Sequence, residues 1–145
     1  MRFPGCLATV AAAFALFAGA LQAAEPPEAV EASPAKAVLV TGASSGIGRN
    51  IAVSLADKGY FVYAGARKQA DLDALDKIPN VRSVRLDVTK QDEIDAAVAT
   101  VRAGDRGLYG LVNNAGVATL GPLAEIDEPE FQWIFDVNVF GVYRV

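Results

Sequence analysis

An apolar run, Ala37-Val38-Leu39-Val40, leads without a spacer into Thr41-Gly42-Ala43-Ser44-Ser45-Gly46-Ile47-Gly48. The run reads as a fully buried parallel strand, and Ile47, Ile51 and Leu55 with Ala52 and Ala56 recur behind it at helical spacing. A glycine-rich turn between such a strand and such a helix is an anion cradle, because free backbone N–H groups and the positive helix end face one point. Each glycine has its own expected task. Gly42 allows the tight turn, Gly46 lets the backbone approach a phosphate group, and Gly48 permits close packing of helix on strand.

Past that turn strand and helix patterns alternate, which is the signature of βαβ units and a parallel sheet. Gly59 closes the first helix, residues 61–66 read as the second strand, Leu72 and Leu75 mark a short helix before Pro79, and residues 81–88 hold the third strand. Thr89-Lys90-Gln91-Asp92 resembles a capping box with Asp in the Glu/Gln position, and Ile94, Ala97, Val98 and Val101 line one face until Gly104. Residues 108–112 are the fourth strand. Asp127 opens the last helix, with Pro129 in its first turn and Glu130 completing a box-like cap. Phe131, Ile134, Phe135, Asn138 and Val142 share one face of that helix, while Trp133, Val137 and Phe140 make the others apolar, which predicts burial on both sides. An asparagine on such a stripe is either a satisfied amide or a working polar group. Right-handed crossovers predict the spatial order third, second, first, fourth: a Rossmann-like, doubly wound α/β sheet with its ligand at the carboxyl ends, near the switch between first and fourth strands.

The end of the second strand discriminates between nucleotides, because an acidic residue there bonds the ribose of NAD whereas a basic one accepts the phosphate of NADP. The stretch Gly65-Ala66-Arg67-Lys68 has no carboxylate. Arg67 either offers a bidentate fork to a phosphate, with Lys68 as a lesser assistant, or is an ordinary solvated arginine. Asp87 stands at a strand's carboxyl end, where it either meets an adenine or assists the next helix cap. Asn113 reads as a brace between neighbouring strands, and the small Ala115 and Gly116 let the backbone lie against a ribose.

These residues carry a resemblance to the short-chain dehydrogenase/reductase family. Thr41 to Gly48 matches its Thr-Gly-x-x-x-Gly-x-Gly pattern, Asn113 to Gly116 its Asn-Asn-Ala-Gly, Asp87 its adenine-contacting aspartate, and Asn138-Val139-Phe140-Gly141 its catalytic-asparagine segment. The resemblance runs from about Lys36 to Val145. It implies an NAD(P)-dependent oxidoreductase with cofactor contacts from Thr41, Gly42, Ser44, Ser45, Gly46, Ile47, Gly48, Arg67, Asp87, Val88, Asn114, Ala115 and Gly116. NADP is implied over NAD, since NADP-using members hold the phosphate partly through a serine at the position of Ser44. For Asn138 the implied place is catalytic, holding a water in the proton relay to a tyrosine and a lysine. The corresponding last helix belongs to a subunit interface in the family, so a homo-oligomer is implied for the complete protein. The stretch Gly107 to Gly116 is similar to the branch with retinol, steroid and hydroxybutyrate dehydrogenases, which implies a small apolar alcohol or ketone as substrate.

One part of the family pattern is missing. Its general acid is a tyrosine whose pKa is lowered by a lysine in a Tyr-x-x-x-Lys array, with a serine steadying the carbonyl. Here Tyr60 is followed at that spacing by Ala64, Tyr63 by Arg67 and Tyr109 by Asn113, and Tyr143 stands too near Val145. The chain is therefore expected to be the N-terminal part of such an enzyme, truncated after the fourth strand and its following helix. It should be inactive in hydride transfer, and prone to aggregate through an exposed strand edge. The alternative is a non-catalytic dinucleotide-binding module or an inactive truncated product.

Composition removes other classes. The chain has no histidine and its one cysteine is Cys6, so a Ser-His-Asp triad, a Cys-His pair and the usual zinc sites are excluded, and no metal is expected. A net charge of −4 argues against a nucleic-acid partner. Residues 1–24 read as a signal peptide or membrane anchor, with Arg2 as the only charge, an apolar stretch over residues 6–21, and cleavage sites at Ala18-Gly19-Ala20 or Leu21-Gln22-Ala23. Residues 25–35, with Pro26, Pro27 and Pro34, read as a linker, and residues 36–145 as the folded part. Export to the periplasm or anchorage at the membrane is the expected location.

Overall fold

Residues 35–145 are described by a computed structural model. The expected leader, and all of the expected linker except Ala35, lie outside the described residues. The elements run β1 (Ala37–Val40), α1 (Gly46–Asp57), β2 (Phe61–Ala66), α2 (Gln69–Leu75), β3 (Val81–Arg85), α3 (Gln91–Arg102), β4 (Gly110–Val112), a single 3₁₀ turn (Leu123–Glu125) and α4 (Glu128–Phe135). A π-helical segment (Asp136–Phe140) then continues into α5 (Gly141–Arg144).

The sheet has the order β3-β2-β1-β4 with every pair parallel, as right-handed crossovers demand. Alternation along the strands feeds two layers. Val38, Val40, Val62 and Ala64 pack with Ala52 and Ala56 of α1 and with Leu72 and Leu75 of α2. On the opposite face Ala37, Leu39 and Tyr63 pack with Ile94, Ala97 and Val101 of α3. Helices on both faces explain why β1 and β2 are buried almost throughout and read as continuous apolar runs.

Several local expectations change. In α1 Ala52 and Ala56 are buried with Gly48, and Ile51 and Leu55 pack against the same layer as the spacing predicts, whereas Ile47 departs from the stripe and stands 74% exposed. β3 ends at Arg85 and β4 begins at Gly110, shorter than the apolar patterns suggest. Thr89 does not cap α3: the N-cap position is Lys90, without a side-chain bond. The Thr89 N–H and hydroxyl instead donate to Asp87 Oδ1 at 3.0 and 2.7 Å. Asp127 does cap α4, accepting from the Glu130 N–H at 2.9 Å, but the Glu130 carboxylate takes the Thr119 hydroxyl rather than closing a box.

The last helical run does not present the expected stripe. Val137 and Gly141 are its buried residues, whereas Phe131, Phe135 and Val142 are exposed, as are Trp133 and Phe140. The inward positions are Ile134, Val137 and Gly141, a face one residue away from the stripe that the spacing suggests. Gly141 sits against Val88, where a Cβ would meet Val88 Cγ2 at 2.6 Å. Among the described residues no helix is long and apolar enough to cross a membrane.

Candidate functional site

The glycine turn is stitched to the end of β4. Thr41, 1% exposed, donates its N–H to the Val112 carbonyl at 3.0 Å, and its Oγ1 accepts the N–H groups of Asn114 and Ala115 at 3.0 and 2.9 Å. Asn114 Nδ2 donates back to the carbonyls of Thr41 and Gly42 at 3.0 and 3.1 Å. The brace between strands is thus Asn114, not Asn113, which is exposed. Asn114 alternates inward at the strand's end, so its amide alone reaches the turn.

The turn leaves no room for side chains where it matters. Gly42 has φ +65°, and a Cβ there would meet Ala115 Cα at 2.8 Å. A Cβ on Gly48 would overlap both the Gly42 carbonyl oxygen and Asn114 Nδ2, so the close packing expected of Gly48 is against the turn rather than the strand. Gly46 opens α1 at φ +56° with nothing within 4 Å of its absent Cβ, and Ser45 at the N-cap makes no side-chain cap bond. The first turn of α1 therefore presents its N–H groups to open space, the condition for holding a phosphate.

A cleft of about 340 Å³ spreads from this point across the carboxyl ends of β1, β2, β3 and β4. Gly42, Ser44, Ser45, Ile47, Gly48, Arg67, Asp87, Val88, Asn114, Ala115 and Gly116 all border it, whereas Thr41 lies beneath it as a brace and Gly46 is not on its wall. Ala66, Leu86, Val117 and Val137 complete the lining without having been singled out from sequence. They are small or apolar residues, and only their places beside Arg67, Asp87, Gly116 and Asn138 could have signalled them.

At the far end of the cleft Arg67 follows β2 and Asp87 follows β3. Partial burial pushes the Asp87 carboxyl up, but the two Thr89 hydrogen bonds and the charges of Arg67 and Lys90 outweigh it and hold the group below its ordinary value. The Asp87 backbone N–H donates to Glu93 Oε2 at 2.8 Å, so Asp87 shapes the approach to α3, and its residue also borders the cleft. Arg85 Nη1 donates to the Arg67 carbonyl at 2.6 Å. Tyr63, which Arg67 follows at the spacing of the Tyr-x-x-x-Lys array, is buried against α3.

Asn138 lies in the π segment. Its Oδ1 accepts the Val117 N–H and its Nδ2 donates to the Val117 carbonyl, both at 2.8 Å. The side chain is a satisfied amide that fixes Val117, a residue of the cleft wall.

The comparisons with known proteins agree with this architecture. The family model for short chain dehydrogenases matches residues 36–145. The chain is 37% identical over 125 residues to the mitochondrial D-beta-hydroxybutyrate dehydrogenase of Rattus norvegicus, covering 79% of this chain and 36% of that protein. A crystal structure of an actinorhodin polyketide ketoreductase variant with NADPH superposes at TM-score 0.72 and 34% identity, covering 77% of this chain and 44% of that one. L-Sorbose reductase from Gluconobacter frateurii, complexed with NADPH and L-sorbose, gives TM-score 0.70 and 31% identity over 76% of this chain and 44% of that one. The chain spans less than half the length of each of these relatives. With its glycine turn, parallel sheet and residues 36–145 all matching, the chain belongs to the short-chain dehydrogenase/reductase family.

Proposed function

We propose that this chain supplies the cofactor-binding part of an NADP(H)-dependent oxidoreductase of the alcohol dehydrogenase or carbonyl reductase type. The observation that carries the reading is Arg67, placed on the cleft just past β2 where no carboxylate stands, with Ser44 on the same cleft. A carboxylate there would repel a 2′-phosphate, whereas a guanidinium and a hydroxyl can both donate to it. The first turn of α1 would hold the pyrophosphate, Asp87 and Val88 the adenine, and Ala115 and Gly116 the ribose. When bound, the nicotinamide supplies or accepts the hydride. Asn138 holds the Val117 backbone, and with it one wall of the nicotinamide end. That NADPH accompanies two of the related structures supports the choice of nucleotide.

No tyrosine of this chain precedes a lysine by four residues, which favours a second statement: the chain by itself binds the dinucleotide without turning it over. A fluorescence titration with NADPH and NADH tests both. The expected outcome is tighter binding of NADPH, with Arg67→Ala removing roughly tenfold of that preference, the scale of a lost charge-assisted hydrogen bond. Equal affinities in the wild-type chain would refute the nucleotide assignment.

A further inference from the structure

We propose that Arg85 is a positioning residue for NADP preference, acting by holding Arg67 in place beside the 2′-phosphate site; this rests on the reading of Arg67 given above. Arg85 closes β3 as the register partner of Ala66, the last residue of β2. The final ladder bond between the two strands runs from the Leu86 N–H to the Ala66 carbonyl at 3.0 Å. One residue further on, a side chain continues the pairing. Arg85 Nη1 donates to the Arg67 carbonyl at 2.6 Å, and Nη2 donates to Gln69 Oε1 at 3.0 Å. Gln69 Nε2 donates in turn to Asp73 Oδ1 at 2.8 Å, which ties the chain of bonds into α2.

The guanidinium is planar and its donors are fixed in a fork, so two simultaneous bonds set a direction as well as a distance. They clamp the peptide that follows Arg67 and so limit where its Cα–Cβ bond can point. Arg67 is an exposed, many-rotor side chain. Free of the clamp it would have to be ordered at the moment of binding, and that entropy would weaken the complex. Arg85 itself is not on the cleft wall, so its effect on the nucleotide passes through Arg67.

Dissociation constants for NADPH and NADH, measured on the full-length protein, test this with Arg85→Ala, Arg85→Gln, Arg67→Ala and the double variant Arg67→Ala/Arg85→Ala. Arg85→Ala should weaken NADPH roughly five- to tenfold, the worth of one positioned hydrogen bond, and leave NADH unchanged. Arg85→Gln, which keeps a neutral donor for the Arg67 carbonyl, should recover part of the loss. In the Arg67→Ala background Arg85→Ala should add nothing. Equal weakening of both nucleotides would make Arg85 merely structural, and a further loss of NADPH in the Arg67→Ala background would make its charge act directly; either result overturns the proposal, as does no change at all. A wild-type protein without NADPH preference would overturn the reading of Arg67 and the role of Arg85 with it. NADPH preference that Arg67→Ala abolishes but Arg85→Ala leaves intact would overturn only the latter.

Discussion

The sheet divides into two unequal regions. Around β1, β2 and β3, helices cover both faces and every strand position of β1 is buried. Around β4, α4 and α5 the described residues leave Leu111 at 38% exposed, Phe135 at 43% and Tyr143 at 89%. The first region closes its own core; the second presents an apolar edge and an apolar helix flank. The cleft lies on the seam, with the Thr41 and Asn114 hydrogen bonds joining one region to the other. Stability should therefore come from one side, while binding needs both.

The largest effect should fall in the closed region. Leu75→Ala, at a position 0% exposed, should lose about 2–5 kcal/mol in urea unfolding, against less than about 1 kcal/mol for Phe135→Ala in the open region. Comparable losses at the two positions would erase the distinction. Cutting the seam comes next. Asn114→Ala removes the donor to two carbonyls, so a loss of roughly 1–3 kcal/mol is expected with weaker binding of either nucleotide. A stable variant with unchanged affinity would show that the β1–β4 ladder joins the regions without the Asn114 amide.

The smallest effect is electrostatic. The folded Asp87 pKa lies below its ordinary 3.8, so its contribution to stability is complete above that value and is lost as pH falls through the lower folded pKa. The stability gap between wild type and Asp87→Asn should accordingly narrow only at acid pH. A gap that widened on acidification would mean that the carboxyl is raised, not lowered.

What could be read from the sequence follows the same division. Strand order and the glycine turn were legible because β1 is buried on both faces and its pattern admits one reading. Where one side is open, pattern fails: Phe131, Phe135 and Val142 share a helical face by spacing, yet an apolar helix has several such faces and the inward pair is Val137 and Gly141. Short-range polar choices were also hidden. Asp87 rather than Thr89 organises the approach to α3, and Asn114 rather than its neighbour makes the brace, because each depends on a direction of one or two residues that spacing does not fix. Arg85 gave no signal at all, since a strand-end arginine is ordinary until its register partner is known.

The most direct test of the central claim is a crystal structure of the chain with NADPH. The account predicts the pyrophosphate on the first turn of α1 and the 2′-phosphate within hydrogen-bond distance of Arg67 and Ser44. A nucleotide bound outside this cleft, or in it with the 2′-phosphate turned away from Arg67, would contradict it.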